Sequence, residues 1–152
     1  HLALAGAAVD IVLAVSPEKL AGDAAVNWHI ASHMSLPMTR ADIDPQLALR
    51  RIAEAEVIVD ALLGTGSRGA PRGVIATLID AANVACGRRV AIDIPSGLDA
   101  DTGEVHGPCF RAMLTITMVA PKIGFSERAA RDVLGEVVVV GIGAPSDSAA
   151  LR

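Results

Sequence analysis

The sequence predicts an α/β domain with a mostly parallel sheet and helices on both faces, three layers in all. Three observations lead there. Short runs rich in Val, Ile and Leu alternate with Ala-rich helical stretches along the 152 residues. The runs are apolar on both faces, as expected of parallel strands covered on both sides. Hydrophobic residues make up 52% of the chain and charged ones 20%, enough apolar content for such a core and too much for a disordered chain.

The elements follow in order. Residues 9–15 (VDIVLAV) form the first predicted strand. Ser16 stands as the N-cap of a helix over 17–34, with Pro17 at its first position, where the missing N–H costs nothing. Asp44 caps a second helix over 45–55, and 57–63 (VIVDALL) is an apolar strand interrupted only by Asp60. A third helix covers 71–83, and strands are expected at 90–94, 114–120 and 137–142. The last residues, Ser146 to Arg152, are expected to fray. There is no internal repeat and no linker, so one domain over 1–152 is expected.

Composition also excludes partners. No apolar run reaches the ~18 residues that a membrane span needs. Leu2 to Val15 comes nearest, but it contains Asp10 and lacks a signal peptide's basic start. A net charge of −4, with two Phe, one Trp and no Tyr, offers neither electrostatic attraction to nucleic acid nor stacking platforms for bases. Cys86 and Cys109 are far apart and form no CxxC, which predicts free thiols in a reducing, cytoplasmic setting.

Sites in parallel sheets lie beyond the carboxyl ends of the strands, which directs attention to three places. Gly64-Thr65-Gly66-Ser67-Arg68-Gly69 follows one strand and precedes a helix, a context in which glycine backbone and helix dipole can receive an anion. It is otherwise a turn without a ligand. Asp93 ends another strand in Asp93-Ile94-Pro95-Ser96-Gly97-Leu98-Asp99, where a carboxylate needs a partner, a cation or water. It either works in the crevice or caps the turn. Asp60 interrupts an apolar strand. It calls for a cation shared with Ser96, or for a buried hydrogen bond. His29 and His33 have zinc-pair spacing but no third ligand, His106 is expected to be merely exposed, and Ser96 lacks a nucleophile elbow.

Taken together, V-D-A-L-L-G-T-G-x-x-G (from Val59), A-I-D-I-P-S-G-L-D-A-D-T-G (from Ala91) and A-P-K-I-G-F (from Ala120), with Leu20 to Ala25 and Asn27, resemble the NAD(P)H-hydrate epimerase (YjeF N-terminal) family. The likeness runs from about His1 to Pro145. It implies a Rossmann-like fold and epimerisation at C6 of the hydrated nicotinamide nucleotides NADHX and NADPHX, which lets an NAD(P)HX dehydratase repair the whole pool. Carried over by motif position, Gly64, Thr65, Gly66, Ser67, Arg68, Gly69 and Ala70 would hold the substrate's phosphates and ribose. Asp93 would contact the nicotinamide end and serve in acid–base chemistry, and Asp60 and Ser96 would ligate potassium (K+). Lys122 would line the same crevice or stand as a surface lysine. A homodimer is a candidate assembly.

The resemblance also implies a domain incomplete at its N-terminus. The family's Asn-Gly-Gly-Asp-Gly loop would precede His1, and a chain without it would be impaired. Arg68 and Met113 depart from the family's usual residues. A non-catalytic nucleotide-binding or scaffold module of the same fold is the alternative. Such offshoots have lost the catalytic carboxylates, whereas Asp60, Asp93 and Ser96 are present here.

Overall fold

The computed structural model describes residues 1–143, which fall into two compact units, 1–54 and 55 to the end of the described residues. The tail expected to fray, Ser146 to Arg152, lies outside the described residues.

In the first unit, β1 (Ile11–Leu13) and β2 (Met38–Arg40) pair in parallel, with Ile11 opposite Met38. Between them runs α1 (Gly22–His33), and α2 (Pro45–Glu54) follows β2. Asp44 caps α2 as expected, its Oδ1 accepting the Leu47 N–H at 2.9 Å. An ion pair from Arg51 to Asp10 (3.1 Å) ties α2 to the segment before β1.

The helix expected over 17–34 is interrupted. Pro17–Lys19 is a separate 3₁₀ turn, Leu20 and Ala21 are extended, and α1 starts at Gly22, whose φ of +55° no continuous helix contains. Ser16 makes no side-chain cap. β2 was not expected, because a three-residue strand holding Thr39 and Arg40 carries no period to detect.

The second unit holds a four-stranded parallel sheet in the order β3 (Val57–Asp60), β4 (Arg88–Ile92), β5 (Leu114–Met118), β6 (Glu136–Val140). α3 (Gly73–Val84) joins β3 to β4, and a second unforeseen element, α4 (Arg128–Leu134), precedes β6. Seven residues are too few for a clear helical period. The α/β class with parallel strands is therefore what forms.

Most strands end sooner than their apolar runs do. β3 stops at Asp60 because the Leu62 N–H turns to Asp60 Oδ1 (3.1 Å) and the Leu63 N–H to Ser96 Oγ (2.9 Å), outside the ladder. α3 begins at Gly73 rather than Pro71, after extended Arg72. The expectation of strands buried on both faces fails at the two edges of this sheet, where Val57 and Val59 of β3 and Val137, Val138 and Val139 of β6 are exposed.

β4 and β5 are neighbours, yet no helix joins them. Residues 93–113 cross over as a long loop, which must therefore make its own structure. Asn83 on α3 supports it, its Nδ2 donating to the Cys109 carbonyl and its Oδ1 accepting from the Arg111 N–H, both at 2.8 Å. Ile94, Leu98, Ala100 and Cys109 of this loop form the core with Phe125, Ala130, Val133 and Leu134. Burial pushes the Cys109 thiol up to about 12, so it stays protonated and acts as an apolar group. No disulfide links it to exposed Cys86.

Candidate active site at the carboxyl edge of the sheet

Asp60, Asp93 and Lys122 sit at or just beyond the ends of three successive strands, β3, β4 and β5. The first cluster lies at β3. Asp60 is only 3% exposed and meets Ser96 twice: Oδ2 accepts the Ser96 N–H and Oδ1 the Ser96 hydroxyl, each at 2.7 Å. Burial pushes the Asp60 carboxyl above its ordinary value, and the hydrogen bonds from Ser96 and Leu62 offset part of that. A crevice opens beside this pair, lined by Leu63, Gly64, Ser67 and Gly69 on one side and by Pro95 to Asp99 and His106 on the other.

The second cluster surrounds Asp93. Asp93 is the central residue of a γ-turn: its φ is +67°, and the Ile94 N–H returns to the Ile92 carbonyl at 2.8 Å. Such turns with positive φ are rare and strained in non-glycine residues. Asp93 Oδ1 accepts from Lys122 Nζ (2.6 Å), the Met118 N–H (3.0 Å) and the Thr117 hydroxyl (3.2 Å). Burial drives the Asp93 carboxyl upward, but Lys122 and the two other donors outweigh it, leaving it below its ordinary value and ionised at neutral pH.

The rest of the motif is architectural. Asp99 Oδ1 accepts the N–H groups of Asp101 and Thr102, both at 2.9 Å, and these bonds hold its carboxyl low. The turn so formed brings Gly103 against Gly124, where a side chain on either glycine would collide with the other's backbone. Two sequence motifs thus meet through their glycines.

Among the expected site residues, Gly64, Ser67, Gly69 and Ser96 line the crevice, whereas Thr65, Gly66, Arg68 and Ala70 do not. Arg68 instead donates to Asp101 (2.7 Å) and to the Thr65 carbonyl (3.1 Å), bracing the glycine loop from outside. Asp93 belongs to the neighbouring cluster rather than to the crevice lining. His106 was expected to be no more than exposed. It is exposed, but it also lines the crevice, with Nε2 3.1 Å from Glu104. Its place in a Gly/Pro-rich loop gave no periodic signal. Asn83, the anchor of the crossover loop, was equally silent in the sequence, because a single polar residue late in a helix looks like an exposed one.

A parallel α/β domain with a glycine loop and two carboxylates along one strand-end edge has the layout of a small-ligand site beyond the carboxyl ends of its strands. The chain belongs to the YjeF-related protein N-terminus family, whose model matches residues 1–124. It is 39% identical over 145 residues to an NAD(P)H-hydrate epimerase of Rhodopirellula baltica, covering 95% of this chain and 59% of the relative. It is also 39% identical over 155 residues to a bifunctional NAD(P)H-hydrate repair enzyme of Hyperthermus butylicus, spanning 97% of this chain but 27% of that protein. The crystal structure of the yeast protein ynu0 superposes with a TM-score of 0.64 at 22% identity, over 83% of this chain and 52% of that one, which shows the shared fold. Among the described residues, no helix is long and apolar enough to cross a membrane.

Proposed function

We propose that this domain epimerises hydrated nicotinamide nucleotides, interconverting the R and S forms of NADHX and NADPHX at C6. The observation that carries the reading is Asp93: an ionised carboxylate, fixed on a strained turn at the sheet's carboxyl edge within the Asp93-to-Asp99 motif that carries the resemblance. Relatives named as epimerases support it.

The reaction suits these groups. The C6–O bond breaks beside the ring nitrogen, the hydroxyl leaves as water, and the ring becomes an iminium. Water then adds on the other face and gives up a proton. The proton that turns the departing hydroxyl into water comes from solvent; the ionised Asp93 accepts the proton of the arriving water and returns it to solvent, and the site holds the ring in place. In this reading the glycine loop from Gly64 to Ala70 receives the phosphates and ribose.

Potassium is part of the same proposal. Its ligands would be hard oxygens, and Asp60 and Ser96 offer such oxygens side by side. Asp60 accepts three hydrogen bonds in all, which leaves one of a carboxylate's roughly four acceptor positions open on Oδ2. The pair fits as part of a cation's donor set. A bound potassium ion would supply positive charge near the substrate phosphates.

The proposed setting is the cytoplasm, the proposed assembly a homodimer, and the functional partner a dehydratase acting on the S epimer. Relatives named as bifunctional repair enzymes are consistent with that partnership. The chain spans 59% of the first relative's length, so the test belongs to this chain itself. (R)-NADHX is supplied in potassium buffer, and formation of the S epimer is followed with an S-specific dehydratase. Accelerated formation supports the reading. Binding of the nucleotide without conversion would favour the non-catalytic module instead.

A further inference from the structure

β4 and β5 end in the same unusual way. After β4, Asp93 has φ +67° and the Ile94 N–H closes on the Ile92 carbonyl. After β5, Val119 has φ +69° and the Ala120 N–H closes on the Met118 carbonyl, both closures at 2.8 Å. A β-branched residue with positive φ is a genuine outlier, so something holds Val119 there. The turn at Val119 directs the chain so that Lys122 comes back onto the strand end. Lys122 Nζ reaches the Met118 carbonyl at 3.3 Å and Asp93 Oδ1 at 2.6 Å. The Met118 N–H in turn donates to the same Asp93 oxygen. The two strained turns are therefore cross-linked through one lysine and one carboxylate.

The cross-link is asymmetric. Oδ1 of Asp93 takes all three donors, from Lys122, Met118 and Thr117. Among the described residues, Oδ2 takes none. Asp93 and Lys122 are partly screened from water, with side chains 25% and 18% exposed, so the pair is better shielded than an ordinary surface ion pair. A lysine that served only solubility would not be held at both ends of its reach by a strand-end carbonyl and a carboxylate.

We infer that Lys122 is a positioning residue: it anchors Oδ1 of Asp93 and so presents Oδ2 as the single working oxygen toward the substrate's nicotinamide ring. The inference rests on the proposed epimerase reading, and it adds a residue and a division of labour between the two carboxylate oxygens. Oδ2 accepts the proton of the water that adds at C6, and the proton for the departing hydroxyl comes from solvent. Lys122 touches no reacting atom. Among the described residues, the charged group facing Asp93 is Lys122. From β5 it meets the uncharged Thr117 hydroxyl and Met118 N–H.

The test compares the wild-type chain with Lys122→Met, Lys122→Arg and Asp93→Asn, and with Lys122→Met combined with Asp93→Asn. Two readouts are taken: steady-state epimerisation of (R)-NADHX, and the carboxyl carbon resonance of Asp93 followed by NMR against pH. Wild-type turnover comes first, since its absence would count against the epimerase reading, while the NMR arm would still judge the anchoring. Lys122→Met should lower kcat by roughly tenfold or more with KM nearly unchanged, and Lys122→Arg should recover much of the loss. In the Asp93→Asn background, removing Lys122 should cost little more, because the two act as one unit. The Asp93 carboxyl should titrate at higher pH in Lys122→Met than in the wild type. An unchanged Asp93 titration would overturn the inference. So would fully additive losses, or a loss confined to KM. If Lys122→Met does not fold, Lys122→Gln removes the charge while its amide can still donate, and the Asp93 carboxyl should again titrate at higher pH than in the wild type.

Discussion

Ser96 grips Asp60 with two donors at once, its backbone N–H on one carboxylate oxygen and its hydroxyl on the other, each at 2.7 Å. The Ser96 hydroxyl in turn accepts the Leu63 N–H, so one serine joins the end of β3, the entry to the glycine loop and the β4–β5 crossover.

That arrangement makes Asp60→Asn destabilising even though it removes a buried charge. An amide has one acceptor oxygen, and its NH₂ would face a donor that Asp60 now satisfies. An unsatisfied buried donor costs about 1–3 kcal/mol. Chemical denaturation should show a loss in that range for Asp60→Asn and a similar or smaller one for Ser96→Ala. A stability equal to wild type in both variants would contradict the double contact.

Potassium should stabilise the chain if Asp60 and Ser96 help to hold it. The expected result is a higher Tm in potassium chloride than in tetramethylammonium chloride at equal ionic strength, since binding to the folded state alone stabilises it. The difference should vanish in Asp60→Asn. Equal Tm values in the two salts would remove potassium from the proposed site.

Asp93→Asn keeps the size of the side chain but cannot accept a proton. Epimerisation of NADHX should slow by roughly 10²-fold or more. An unchanged rate would leave Asp93 as a turn residue alone.

Acid stability supplies a separate reading of the same residue. Asp93 is held below its ordinary 3.8, so its contribution to folding is complete above that value and disappears as pH falls through its folded value. Asp60 is raised above 3.8 and acts in the opposite sense, favouring the fold most when protonated and less as pH rises through its folded value. Stability measured against pH should therefore fall less steeply below about pH 4 in Asp93→Asn than in the wild type. Parallel acid limbs would show that Lys122 does not hold Asp93 in solution.

Gly124→Ala should be among the most disruptive single-methyl changes in the chain. A Cβ there would meet the Gly103 N–H and, at 2.7 Å, the Asp99 carbonyl, both backbone groups that cannot rotate away. Overpacking of this kind costs about 1–3 kcal/mol. Gly66→Ala, where nothing lies within 4 Å, serves as the control and should change little.

The sequence alone determined the α/β class, the cap at Asp44 and the neighbourhood of Asp60, Ser96 and the Gly64 loop. Each of these is written in local chemistry. Apolar runs bounded by glycine and proline mark strands, and a carboxylate inside such a run must find donors or a cation wherever the chain folds. The tertiary structure decided which partners those groups found. Asp93 could have capped its own turn, lain in the crevice or paired elsewhere, and only the parallel register of β4 and β5 brings Thr117, Met118 and Lys122 to it. β2 and α4 were illegible because three and seven residues are too short for a period. His106 and Asn83 were illegible because their roles depend on what lies across from them. Strand ends were misjudged for the same reason: Asp60, Asp93 and Val119 turn the chain out of the ladder through contacts with distant residues or strained local turns, and an apolar run carries no record of either.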